Sequence, residues 1–146
     1  MMRRNLVKSL TVAVIAGTVM QAFAQDHTHH HGGAAPYQAL IDSTGVCVAK
    51  GEACLAHCLV LLGQGDKAMA GCAQSVNQML AVCAALFKLA AQNAKATKAM
   101  AKLAFDVCTD CEKECRKHAD KHAECKACAD ACVDCIRQCK VVATAA

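Results

Sequence analysis

Residues 125–139 read CKACADACVDCIRQC, five cysteines in fifteen positions, spaced three, four, three and four apart. An α-helix turns once in about 3.6 residues, so positions three and four apart share a face. Steps of three and four sum to seven, the repeat of a helix packed in a bundle seam. Cys125, Cys128, Cys132, Cys135 and Cys139 therefore form one stripe, about 21 Å long at ~1.5 Å rise per residue. A strand would put Cys125 and Cys128 on opposite faces. Between them fall Lys126, Asp130, Asp134, Arg137 and Gln138, which suit a wet outer face.

The other cysteines keep this rhythm. Cys47, Cys54 and Cys58 follow at steps of seven and four, and Cys72 and Cys83 stand about three turns apart. Cys108, Cys111 and Cys115 repeat the three-four pattern, continued by His118 and His122. Breaks separate these groups. GQGD at 63–66 is a strong turn signal, QNAKA at 92–96 a weaker one, and HADKH at 118–122 a short connection. Pro36, the only proline, suits a first helical turn. The sequence thus predicts helices near 36–62, 67–91, 94–117 and 121–142. Long helices with short connections predict an all-α fold, an antiparallel up-down-up-down four-helix bundle with a cysteine-lined core. That bundle occupies 36–146.

The N-terminus reads differently. MMRRNLVKSLTVAVIAGTVMQAFAQ has a basic start, an apolar run and Ala22-Phe23-Ala24, an A-x-A cleavage site. Arg3-Arg4, with Leu6 and Lys8 after them, resembles a twin-arginine export signal, which carries folded proteins; an ordinary secretory signal or an uncleaved anchor is the alternative. Residues 1–24 are read as that signal and 25–35, QDHTHHHGGAA, as a flexible His-rich tail. The expected location is the periplasm or an extracytoplasmic membrane compartment. The apolar run is too short for a stable membrane span, and no later stretch is read as one. The signal holds Arg3, Arg4 and Lys8, three of the 16 basic residues; without them 13 face 12 acids, so charge makes no case for nucleic acid.

Thirteen cysteines in an exported chain would ordinarily suggest a disulfide scaffold. The odd count, the helix-rich composition and the strain of joining i to i+4 along one helix argue against it. As packing alone, cysteine is a small hydrophobe, but thirteen reactive thiols exceed what packing requires. Soft thiolates select Cu(I), Zn(II) and iron–sulfur clusters. Zinc wants four tetrahedral ligands, which Cys108/Cys111 with Cys125/Cys128 could supply, but five thiols in a row exceed one such site. A ferredoxin run lies in loops and carries a proline after its last cysteine, unlike residues 125–139.

Cu(I) fits better. It accepts two thiolates in near-linear geometry, and one thiolate can bridge two ions. The C-x3-C pairs Cys54/Cys58, Cys111/Cys115, Cys128/Cys132 and Cys135/Cys139 can each clamp one ion. A ladder of bridging sulfurs predicts on the order of a dozen ions. A neutral thiol and a thiolate–Cu(I) unit carry the same charge, so each incoming ion replaces a proton without charging the core. The apo bundle is then a preformed container.

Thirteen seam cysteines, C-x3-C pairs and an export signal resemble the bacterial copper storage proteins over essentially the whole chain after Ala24. The resemblance implies storage of many Cu(I) ions on Cys47, Cys54, Cys58, Cys72, Cys83, Cys108, Cys111, Cys115, Cys125, Cys128, Cys132, Cys135 and Cys139. It also implies a homotetramer and supply of copper to an accepting enzyme or chaperone, in methane oxidisers a membrane methane monooxygenase. Histidine and methionine ligands at one bundle end are a further family feature.

Topology places that end. An up-down-up-down bundle gathers His57, Cys58, Met69, Cys72, Cys115, His118, His122 and Cys125, predicting a mouth with weaker His57, Met69, His118 and His122 ligands. Phe87, Leu89, Met100 and Phe105 are expected to plug the other end, and Met79 reads as core filling. In the tail, Gln25-Asp26-His27 could bind Cu(II) once the amine is free, but the tail reads foremost as solvated chain. Asp110, Glu112, Glu114, Asp130 and Asp134 read as surface carboxylates. No acid–base pair, phosphate loop or activated nucleophile is recognisable, so the reading is non-enzymatic. Exposed parts of CLVLL (58–62) or alanine-rich outer faces are candidate oligomer contacts. The alternative function is an exported thiol sink that detoxifies copper, silver or other soft metals.

Overall fold

The computed structural model describes residues 36–145. Four α-helices follow one another: α1 Gln38–Gly63, α2 Ala70–Ala91, α3 Thr97–Arg116 and α4 Ala123–Thr144, with a 3-10 turn, Lys67–Met69, leading into α2. Consecutive helices pack side by side, and α4 closes the ring against α1. Among the described residues, no close backbone approach joins α1 to α3 or α2 to α4; side chains alone reach across, as where Cys72 meets Cys125 at 4.0 Å and Cys83 meets Cys135 at 3.9 Å. This is the expected up-down-up-down bundle, and its open diagonals leave an axial space for side chains.

Helix ends follow local chemistry. The chain leaves α1 through Gly65, whose φ of 94° favours glycine, and Asp66 N donates to Leu61 O at 3.0 Å. The Asp66 carboxylate then accepts from Ala68 N at 3.1 Å and starts the 3-10 turn. Asn93, at φ 50°, ends α2 in the same manner, with Ala94 N donating to Leu89 O at 2.9 Å. That turn delays α3 to Thr97, three residues after the expected start. His122 is extended and sets α4 off at Ala123.

The buried positions of α3 and α4 are almost all alanine and cysteine, with Thr97 and Val142 at one end. Larger apolar side chains come from the other pair: Leu40 of α1 and Val76, Met79, Leu80 and Leu86 of α2. Small side chains leave the axis to sulfur atoms, and the leucines and valine contribute about 1.5–3 kcal/mol each on burial. Arg116 ties α3 to α4 outside the core, bonding both Glu112 and Asp130 at 2.7 Å, an exposed network of modest worth.

The plug differs from the expectation. Leu40, Thr44, Leu86, Thr97, Ala101 and Val142 close the far end. Leu86 lies three residues after Cys83 and shares its inward face; Phe87, one step on, turns outward and lies 38% exposed. Its ring stands 3.5 Å from where a Cβ on Gly45 would be. Leu89, Met100 and Phe105 are only half-buried.

A second correction concerns membrane-length segments. Gln38–Gly63 and Lys67–Ala91 are long and apolar enough to cross a membrane, each holding an 18-residue stretch, of mean hydropathy 1.6 and 1.3 respectively. The physical reason is that leucine and valine supply much of this hydropathy, with alanine and cysteine adding to it; in the bundle the cysteines of both segments face the core, while Val46, Leu59 and Val60 lie exposed. The signal and tail assigned to residues 1–35, with His27, His29, His30 and His31, lie outside the described residues.

Candidate metal centre

All thirteen cysteines are fully buried and free. Their Sγ atoms form a continuous column along the bundle axis. At the plugged end, Cys47, Cys83, Cys108 and Cys135, one from each helix, bring four sulfurs within 4.8 Å of one another. Cys139 joins them 3.9 Å from Cys135. Cys47 leads on to Cys132 at 3.8 Å, which groups with Cys111 and Cys128. Cys128 also groups with Cys54 and Cys115. Cys54, Cys58, Cys72 and Cys125 complete the column at the other end.

Hydrogen-bonded sulfurs lie between 3.4 Å (Cys83 to Cys108) and 4.0 Å (Cys54 to Cys72) apart, and the sulfurs of each group within 4.8 Å. These separations far exceed a disulfide's ~2.05 Å. They suit a shared metal: with metal–sulfur bonds of about 2.3 Å, as in zinc thiolates, two ligands on one ion lie at most about 4.6 Å apart. The four C-x3-C pairs are brought together as the spacing predicts. Cys111 meets Cys115 at 4.0 Å and Cys135 meets Cys139 at 3.9 Å; Cys54/Cys58 and Cys128/Cys132 fall inside their groups.

At the open end, His57 precedes Cys58 and His122 stands three residues before Cys125. His57 Nε2 lies 3.0 Å from His122 Nδ1, and the other His57 nitrogen faces Glu124 Oε2 at 3.7 Å. His118 stands apart, its ring 6.5 Å from that of His122. Met69 is buried at the end of the 3-10 turn, one residue before α2. Two neighbours escape the sequence pattern. Glu124 escapes because its role depends on the α1–α4 packing. Met79 reads as filler in the sequence, yet its Sδ accepts a hydrogen bond from Cys47 Sγ at 3.4 Å, inside the sulfur column. Its place four residues before Cys83 is the available signal.

The copper storage protein family profile matches residues 33–144. The chain belongs to the copper storage protein family. Among solved structures, it resembles apo copper storage protein 3 from Bacillus subtilis, at 30% identity and a TM-score of 0.65, covering 73% of this chain and 98% of that one. The Cu(I)-bound copper storage protein BsCsp3 matches at 28% identity and 0.65, covering 73% and 97%. The copper storage protein Ccsp from Streptomyces lividans, loaded with 10 copper equivalents, matches at 25% identity and 0.66, covering 76% and 88%. No curated protein matches the sequence.

The metal this family stores must enter a core without fixed countercharge. Among the described residues, the only buried polar side chains other than the thiols are Thr44 and Thr97. Burial accordingly pushes the Cys58 thiol up to about 12 and Cys125 up to about 11. Hydrogen bonds with Cys108 and its other neighbours push Cys132 up, and those with Cys111, Cys128 and Cys54 do the same to Cys115. Hydrogen bonds with Cys108 and Cys132 draw Cys47 below these two neighbours. The column thus shares its protons among sulfurs. The copper storage protein core offers soft donors whose protons Cu(I) can replace.

Proposed function

We propose that this chain stores on the order of a dozen Cu(I) ions, with the thirteen core cysteines as its ligands. The observation that carries this reading is the column of buried, free thiols, with hydrogen-bonded sulfurs 3.4–4.0 Å apart and the sulfurs of each group within 4.8 Å of one another. One copper per sulfur keeps the core neutral, since each ion replaces one proton. The loading of the Streptomyces relative with 10 copper equivalents supports a capacity of this order. Copper enters at the open end, where His57 and His122 offer exchangeable imidazoles and Met69 a thioether beside Cys58, Cys72 and Cys125; His118 extends this cluster outward.

The protein is a store and not an enzyme. It is exported through the twin-arginine pathway, folded, and works outside the cytoplasm as a homotetramer. Leu59 and Val60, 57% and 58% exposed on α1, support such an assembly. Its copper passes to an acceptor enzyme or chaperone, with methane monooxygenase the acceptor that the resemblance suggests. A detoxifying sink for copper or silver is the alternative, because the same soft column takes either ion.

Anaerobic titration of the reduced chain with Cu(I), against a chelator of known affinity, tests the storage reading. About a dozen tightly bound ions per chain is the expected result. One or two ions would point instead to a zinc or cluster protein. Induction on copper starvation would mark a store, and induction on copper or silver excess a sink.

A further inference from the structure

We propose that Met79 is a copper ligand within the thiol column, a neutral thioether that completes the coordination of the ion held by Cys47. The inference rests on the storage reading and adds a thioether inside the column to the thirteen thiols and to Met69 at the mouth. Met79 is fully buried in the middle of α2, and its Sδ lies 3.4 Å from Cys47 Sγ. Cys47 Sγ in turn lies 3.8 Å from Cys132 Sγ. The thioether therefore stands as close to a thiol as the thiols stand to one another.

The facing helix makes room for it. A Cβ on Gly51 of α1 would lie 2.5 Å from Met79 Cε and 2.9 Å from Leu80 Cδ2. Glycine inside a helix costs about 1 kcal/mol relative to alanine. Gly51 needs no left-handed backbone, since Gly65 is the only positive-φ glycine among the described residues. Its lack of a side chain seats the methionine, and the seated side chain turns its sulfur to Cys47.

Charge gives the thioether its use. An ion held by two unshared thiolates carries a net negative charge, costly in a core without cations. An ion held by one thiolate and one thioether is neutral. On binding, the Cys47 S–H loses its proton to solvent and forms the sulfur–copper bond, while Met79 donates a lone pair. Copper remains univalent throughout. Cys132 is then left to bridge other ions.

The test uses the full chain labelled with 13C at the methionine methyls, loaded in parallel with Cu(I) and with Ag(I). Met79→Leu, a volume-conserving change, assigns the Met79 signal and supplies the variant. The expected result is a displaced Met79 methyl in the copper form and a silver coupling to that methyl in the silver form, with Met100 at its apo position. Met79→Leu should keep its helicity and bind one ion at least about tenfold more weakly. A chain that takes up about a dozen Cu(I) while the Met79 methyl stays unmoved, with Met79→Leu matching it in affinity, would overturn the proposal and leave storage intact. Uptake of only one or two ions would overturn both.

Discussion

Replacing Cys125, Cys128 and Cys132 together by serine separates the container from its contents. Cys125 belongs to the four-sulfur group at the open end, Cys128 joins two groups, and Cys132 links them to Cys47. The variant loses three of 13 sulfurs. At one Cu(I) per thiolate, capacity falls to about ten ions. The fold should survive. A buried hydroxyl left unsatisfied costs about 1–3 kcal/mol, but a helical serine can donate to the carbonyl four residues back. Thr44 bonds Leu40 O and Thr109 bonds Phe105 O in this way, both at 2.7 Å. The apo triple variant should therefore keep the parent's far-ultraviolet circular dichroism while an anaerobic chelator titration shows the reduced capacity. Unchanged capacity would mean that these sulfurs hold no copper. Loss of helicity without metal would refute the preformed container.

Other perturbations probe its parts. Gly51→Ala should gain about 1 kcal/mol in helix propensity and lose about 1–3 kcal/mol to the overlap with Met79 and Leu80, so urea unfolding of the apo chain should find it less stable than the parent; a more stable variant would show that the space is free. Cys58 and Cys125, raised to about 12 and about 11 from 9.0, contribute stability that is full below pH 9. Above that pH the unfolded chain sheds protons that the native state retains, so apo stability should fall by up to ~1.4 kcal/mol per pH unit for each group until pH passes its folded value. The copper-loaded chain has exchanged those protons and should lack this alkaline decline; identical profiles for the two forms would count against proton replacement. The double variant His57→Ala/His122→Ala should load Cu(I) more slowly in stopped-flow mixing yet reach the parent's final capacity, and an unchanged rate would place the way in elsewhere.

The stripe from Cys125 to Cys139, the breaks at GQGD and QNAKA and the C-x3-C pairs are local features. Helical periodicity alone puts those thiols on one face, so the bundle, the sulfur-lined core and the clamp pairs are legible in the amino-acid sequence. The meeting of Cys47, Cys83, Cys108 and Cys135, the approach of His57 to His122 and Glu124, and the contact of Met79 with Cys47 are not. Each joins different helices, and their rotation and axial register are set by packing summed over the whole bundle. Phe87 marks the same limit at the scale of one residue. Its hydrophobicity suggests a plug, but a 100° step from Leu86 carries it outside. A residue's neighbours three and four positions away follow from the chain's own geometry; its neighbours on another helix exist only once all four helices have closed around a common axis.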